Sequence, residues 1–164
     1  ATAGWRIRLR SQRIKSPRMN VYRFSSTLFG IEPGEDEEIN PRMYGRQLAA
    51  WLKAQLEARG HAVEPVIAED WGRCLMCARK PFLLWVGCGS ETDYTAAQHD
   101  DPPPAEEDVV WVCFAEAEIP LLKRLFNRPD PSAALARLDD DLKRILDGEP
   151  GITMLAVEPS PQRS

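Results

Sequence analysis

Along the chain the spacing of apolar positions switches between a period of two and a period near 3.6, and each switch marks an element. Val21 to Phe29 mixes aromatic, β-branched and small polar residues and stops at Gly30, which predicts a first strand. Asn40-Pro41 then offers an N-cap followed by proline at the first helical position, and Arg59-Gly60 supplies a basic last turn and a terminating glycine. Between these ends Tyr44, Leu48, Trp51, Leu52, Gln55 and Leu56 fall on one face at helical spacing. Ala62 to Ile67 reads as a short strand that Pro65 would confine to an edge. Arg73 to Ala78 and Phe82 to Cys88 are strand-like runs close enough for a hairpin. In the second run Phe82, Leu84, Val86 and Cys88 alternate with Leu83 and Trp85, so both faces are apolar and a central position is expected.

Val109 to Ala115 repeats that two-sided pattern and is expected to pair with the strand ending at Cys88. Pro120 to Phe126 predicts a short helix with Leu121, Leu122, Leu125 and Phe126 turned inward. From Ser132 a longer helix carries the stripe Leu135, Leu138, Leu142, Ile145 and Leu146 and stops at Gly148; Thr153 to Val157 is a last strand. The order β-α-β-β-β-α-α-β does not alternate regularly. An α+β fold follows, with an antiparallel or mixed sheet of about five strands and about three helices packed on it.

Charge divides the chain unevenly. The net charge is −4, yet Arg6, Arg8, Arg10, Arg13, Lys15 and Arg18 precede any acid, which leaves 15 bases against 25 acids in the rest. Residues 1–18 read as a basic arm or leader outside the fold, residues 19–158 as a single domain, and 159–164 as a tail. Residues 90–108, with seven acids, no base and three consecutive prolines, predict a mobile acidic loop within that domain. An acidic body repels phosphate, so a nucleic-acid role could rest only on the 1–18 arm. No apolar run reaches the roughly 18 residues of a membrane span, so no membrane partner is expected, and four cysteines inside apolar runs suggest reduced thiols in a cytoplasmic protein.

Candidate chemistry is sparse, and the pattern leans away from an enzyme. No glycine-rich phosphate loop, nucleophile elbow or HExxH occurs. Cys74 and Cys77 form a CxxC beside Trp71, but Pro81 cuts off any helix that would stabilise a thiolate there. Three residues apart in a strand, the two point to opposite faces. A metal site would have to gather Cys74, Cys77, Cys88 and His99, and the alternative to a binding module is a metal- or small-ligand-binding enzyme that uses Cys74, Cys77 and Cys88 or His99 with Asp100; no cofactor is expected. His61, next to Gly60, suits a structural place at a helix C-terminus. Gly87-Cys88-Gly89-Ser90 ends a buried strand without the helix that would activate a nucleophile, so its glycines suggest a bulge or chain exit.

Five acids lie in Glu32 to Glu38, and Glu69-Asp70 stand beside Trp71. An acidic rim with an aromatic anchor would suit a basic protein partner, with Glu35, Asp36, Glu37, Glu38, Glu69, Asp70 and Trp71 as binding residues. Taken together, Glu38-Ile-Asn-Pro41, Tyr44-Gly45, Leu48-Ala-Ala-Trp-Leu52, Glu69-Asp-Trp-Gly72 and Trp85-Val-Gly-Cys-Gly89 make residues 20–120 resemble a group of small uncharacterised bacterial α+β proteins. The resemblance implies a bacterial cytosolic origin and brings no activity or site residue with it. The expectation is a non-enzymatic module that binds or neutralises a basic protein.

Overall fold

The computed structural model describes residues 20–38, 40, 42–91 and 102–159. The basic arm, the tail beyond Pro159, His99 with Asp100, and the central part of the acidic loop lie outside the described residues. The fold is α+β: six antiparallel strands form one sheet in the order β2-β3-β4-β5-β1-β6. The strands are β1 (Asn20–Ser26), β2 (Ile67–Glu69), β3 (Gly72–Ala78), β4 (Leu83–Glu91), β5 (Val110–Glu118) and β6 (Ile152–Pro159). Three α-helices accompany them: α1 (Arg46–Ala58), α2 (Leu121–Phe126) and α3 (Ser132–Asp147). Six strands stand against the expected total of about five. The edge strand expected over Ala62 to Ile67 is displaced to β2, because Pro65 cannot donate to a ladder and pairing with β3 starts only at Ile67.

β4 and β5 occupy the middle and pair along nine positions, from Leu83↔Glu118 to Glu91↔Val110. Their two-sided apolar pattern has a direct cause in this placement. One face meets α1 and α3, whose Leu48, Leu52, Leu56, Leu135, Leu138, Leu142 and Leu146 close over Tyr22, Phe24, Leu75, Val86 and Trp111. Each such leucine contributes about 1.5–3 kcal/mol by leaving water. The other face carries Cys74, Met76, Trp85 and Phe114, with Trp71, Val21, Ile67 and Leu83 packed against them. Among the described residues no helix covers that second face.

Three local expectations need correction. The helix signalled by Asn40-Pro41 begins five residues late, at Arg46, behind Gly45 at φ 143°. Tyr44 is held against the end of β4 instead: its N–H donates to Ser90 Oγ (3.0 Å) and its carbonyl accepts Ser90 N–H (3.0 Å). β1 stops at Ser26 rather than Phe29, since the Ser26 hydroxyl donates to the Gly151 carbonyl (2.7 Å) and accepts the Leu28 N–H (3.1 Å), turning the chain. Phe29 then leaves the sheet and packs on Trp51 and Trp111.

The third correction concerns α2. Its apolar residues do not face inward: Leu121, Leu122, Leu125 and Phe126 are 64, 75, 76 and 88% exposed. Lys123 and Arg124 are half-buried in their place, and Arg124 Nε donates to the Ile119 carbonyl (3.0 Å). Helical spacing defines a stripe but not the direction it faces. The far end of α1 does follow its signals: Gly60 takes φ 88° and the His61 N–H reaches back to the Leu56 carbonyl (3.1 Å).

Candidate functional site

The acid-rich segments meet at one end of the sheet, where β4 ends and β3 and β5 begin. Glu35 is the keystone. It sits in a single 3-10 turn (Glu35–Glu37) and is fully buried, with Oε1 accepting the Gly45 N–H (2.8 Å) and Oε2 accepting the Glu32 N–H (3.1 Å). Gly45 has no side chain with which to cap α1, so a carboxylate ten residues earlier supplies negative charge at the positive end of the helix. Gly45 is required here twice over. Its φ is positive, and a Cβ would lie 3.1 Å from Gly89 Cα. The paired glycines bring the start of α1 against the end of β4.

Around this keystone the charges interlock. Arg73, at the start of β3 and 4% exposed, donates from Nη1 to Glu38 Oε2 (3.0 Å) and from Nη2 to the Glu35 carbonyl (3.5 Å). The Arg73 hydrogen bond, with help from Arg46, holds the Glu38 carboxyl below the usual carboxylate range. Arg46 also pairs with Glu32 (2.6 Å), and Asp36 Oδ2 accepts the Arg42 N–H (3.1 Å). Asn40 Nδ2 donates to the Asp70 carbonyl and ties this turn to the β2–β3 connection.

Of the residues expected to bind a partner, Glu35 is therefore internal, and Asp36 and Glu38 are engaged within the turn. Glu37, Glu69 and Asp70 enter no ion pair among the described residues. Glu106, Glu107 and Asp108 add three more exposed carboxylates at the same end, in the turn that leads into β5, and none enters an ion pair among the described residues. Trp71 is half-buried on the second sheet face, with its ring centroid 5.4 Å from Trp85 and 5.9 Å from Phe114. Gly87 makes room for this cluster, because a Cβ there would lie 2.5 Å from Phe114 Cζ and 2.9 Å from Trp71 Cζ3. Sequence reasoning missed Arg73; its one signal is a lone cation opening an otherwise apolar strand.

The thiols are dispersed. Cys74 lies on the second face, whereas Cys77 packs against the helix-side core. Cys88 and Cys113 are buried on the helix side, directly opposite one another across β4 and β5. Burial pushes the Cys74 thiol to about 12, Cys77 to about 11 and Cys88 to about 12, and raises Cys113 well above the ordinary range. Among the described residues no three His, Cys, Asp or Glu side chains gather where they could hold a metal ion. His61 Nε2 lies 2.7 Å from Asp141 Oδ2 and joins the end of α1 to α3. Ser90 Oγ, the other candidate nucleophile, accepts the Tyr44 N–H and donates to the Arg42 carbonyl (3.4 Å). No helix of the described chain is long and apolar enough to cross a membrane.

No family model, no curated protein and no solved structure matches this chain.

Proposed function

We propose that this protein is a non-enzymatic binding module that captures a basic protein partner at the acidic end of its sheet. The observation that carries the reading is the convergence of three acidic segments far apart in sequence, which leaves Glu37, Glu69, Asp70, Glu106, Glu107 and Asp108 without ion-pair partners among the described residues. Like charges placed together cost stability unless something uses them, and a cationic ligand would relieve the repulsion. The network beneath them supplies rigidity. Buried Glu35 and Arg73 fix the turn from inside, so its outer carboxylates are presented with little ordering cost on binding.

Trp71 supports the same reading. It lies next to Asp70, half-exposed, on a hard aromatic base, which is the composition of an anchor rimmed by complementary charge. Nucleophilic chemistry finds less support, because the thiols are dispersed over two faces and held in the neutral form. The test is a titration of the purified protein with a lysine-rich peptide, followed by Trp fluorescence at low and high salt. Saturable binding that weakens steeply with salt is expected. No binding at low salt would overturn the proposal.

A further inference from the structure

α2 is amphipathic in the inverse sense. At about 100° per residue, Leu121, Leu125, Leu122 and Phe126 fall near 0, 40, 100 and 140°, while Lys123 and Arg124 fall near 200 and 300°. The half-buried side is the cationic one, and the apolar stripe points outward. A surface helix ordinarily buries the stripe and wets the charges. A contiguous outward patch of this kind marks a docking surface.

We infer that this ridge is the contact through which two copies of the chain associate, α2 against α2 about a two-fold axis. Three features favour a second copy. The stripe carries no charge across its width, so it is complementary to itself, and a two-fold contact over its centre leaves Lys123 and Arg124 on the half-buried side of α2, out of the contact. Its area is sufficient: the four side chains, at 64 to 88% exposure, offer on the order of 500 Å² per copy, or about 1,000 Å² for the pair, which is the lower limit for a specific interface. The position also fits. β5 runs nine residues from the acidic turn to α2, which places the ridge about 25–30 Å from the acidic surface. Two copies joined at α2 would leave both acidic ends free at opposite poles.

A basic partner is a poor alternative for this ridge, since Lys123, Arg124 and Arg128 border it. Only the argument from position rests on the acidic-surface proposal; the stripe and its area do not, so either proposal can fail alone. The test is sedimentation equilibrium of the full chain over a wide concentration range, for wild type and for Phe126→Ser and Leu122→Ser. These residues are solvent-exposed, so both variants should keep the wild-type near-UV circular dichroism. Wild type should pass from monomer to dimer in the micromolar range expected of a minimal interface, and each variant should weaken association tenfold or more. Lys123→Gln should leave association unchanged. A wild type that stays monomeric throughout, or a dimer unaffected by both serine variants, would overturn the inference. So would recovery of monomers on phosphatidylglycerol vesicles with loss of that binding in Phe126→Ser, which would reassign the ridge to a lipid surface.

Discussion

Replacing Glu35 by glutamine probes the buried keystone with a minimal change in shape. The carboxylate accepts two backbone N–H groups, from Gly45 at 2.8 Å and Glu32 at 3.1 Å, and is fully shielded from water. A hydrogen bond to a charged group contributes about 1.5–3 kcal/mol. Glutamine keeps one oxygen, so one bond survives in weaker, neutral form. Its amide nitrogen must then face an N–H that it cannot accept, and that donor is left buried without a partner. The loss is one charge-assisted bond plus a desolvation penalty, or about 2–4 kcal/mol once partial relaxation is allowed. Against a total stability of about 5–15 kcal/mol this is large but survivable, whereas Glu35→Ala would add a cavity and approach the limit of folding. Urea unfolding followed by Trp fluorescence reads the effect as a lower midpoint at unchanged slope. Glu37→Gln, two residues on and exposed, is the control and should shift stability by less than about 0.5 kcal/mol. Equal stability of Glu35→Gln and wild type, or equal losses in the two variants, would refute the assignment of Glu35 to the interior.

Gly87→Ala should cost about 1–3 kcal/mol, because the added methyl has to push apart the Trp71 and Phe114 rings; a red-shifted Trp emission and a lower urea midpoint would register it, and an unchanged midpoint would contradict the packing described. The thiols should resist modification in the native state at pH 8, with half-buried Cys77, raised to about 11, the first to react with an aromatic disulfide reagent, and all four reacting in denaturant. The sign of the linked pH effect follows from the same shifts. Unfolded thiols ionise near pH 8.5 while the folded ones stay neutral to about pH 11–12, so their contribution is complete below pH 8.5 and is lost progressively as pH rises through that window. Rising stability between pH 8.5 and 10 in urea melts would contradict it.

Much of the fold was legible because burial leaves periodic traces. β4 and β5 declare themselves as central strands through apolar residues on both faces, and α3 through Leu135, Leu138, Leu142 and Ile145. What failed to show was direction and depth. The stripe of α2 has the same spacing whether it faces the core or the solvent, and only the half-buried Lys123 and Arg124 distinguish the two. Glu35 looks like its neighbours in an acidic run; its burial depends on the Gly45 N–H at the start of α1, which the fold rather than the acidic run itself brings near. The Asn40-Pro41 start signal lost to a tertiary contact, since two hydrogen bonds with Ser90 hold Tyr44 against β4 and the helix begins at Arg46. The candidate site was therefore half visible: Glu37 and Asp70 as exposed acids, but not the buried Arg73 that pairs with Glu38 and holds the turn.

The most direct test of the binding account is an amide chemical-shift map of the full chain titrated with a lysine-rich peptide at low salt. The account predicts perturbations concentrated at residues 34–38, at Asp70–Trp71 and at Glu106–Asp108, fading together as salt is raised. Shifts centred on α2 or β6, or spread evenly over the surface, would contradict it.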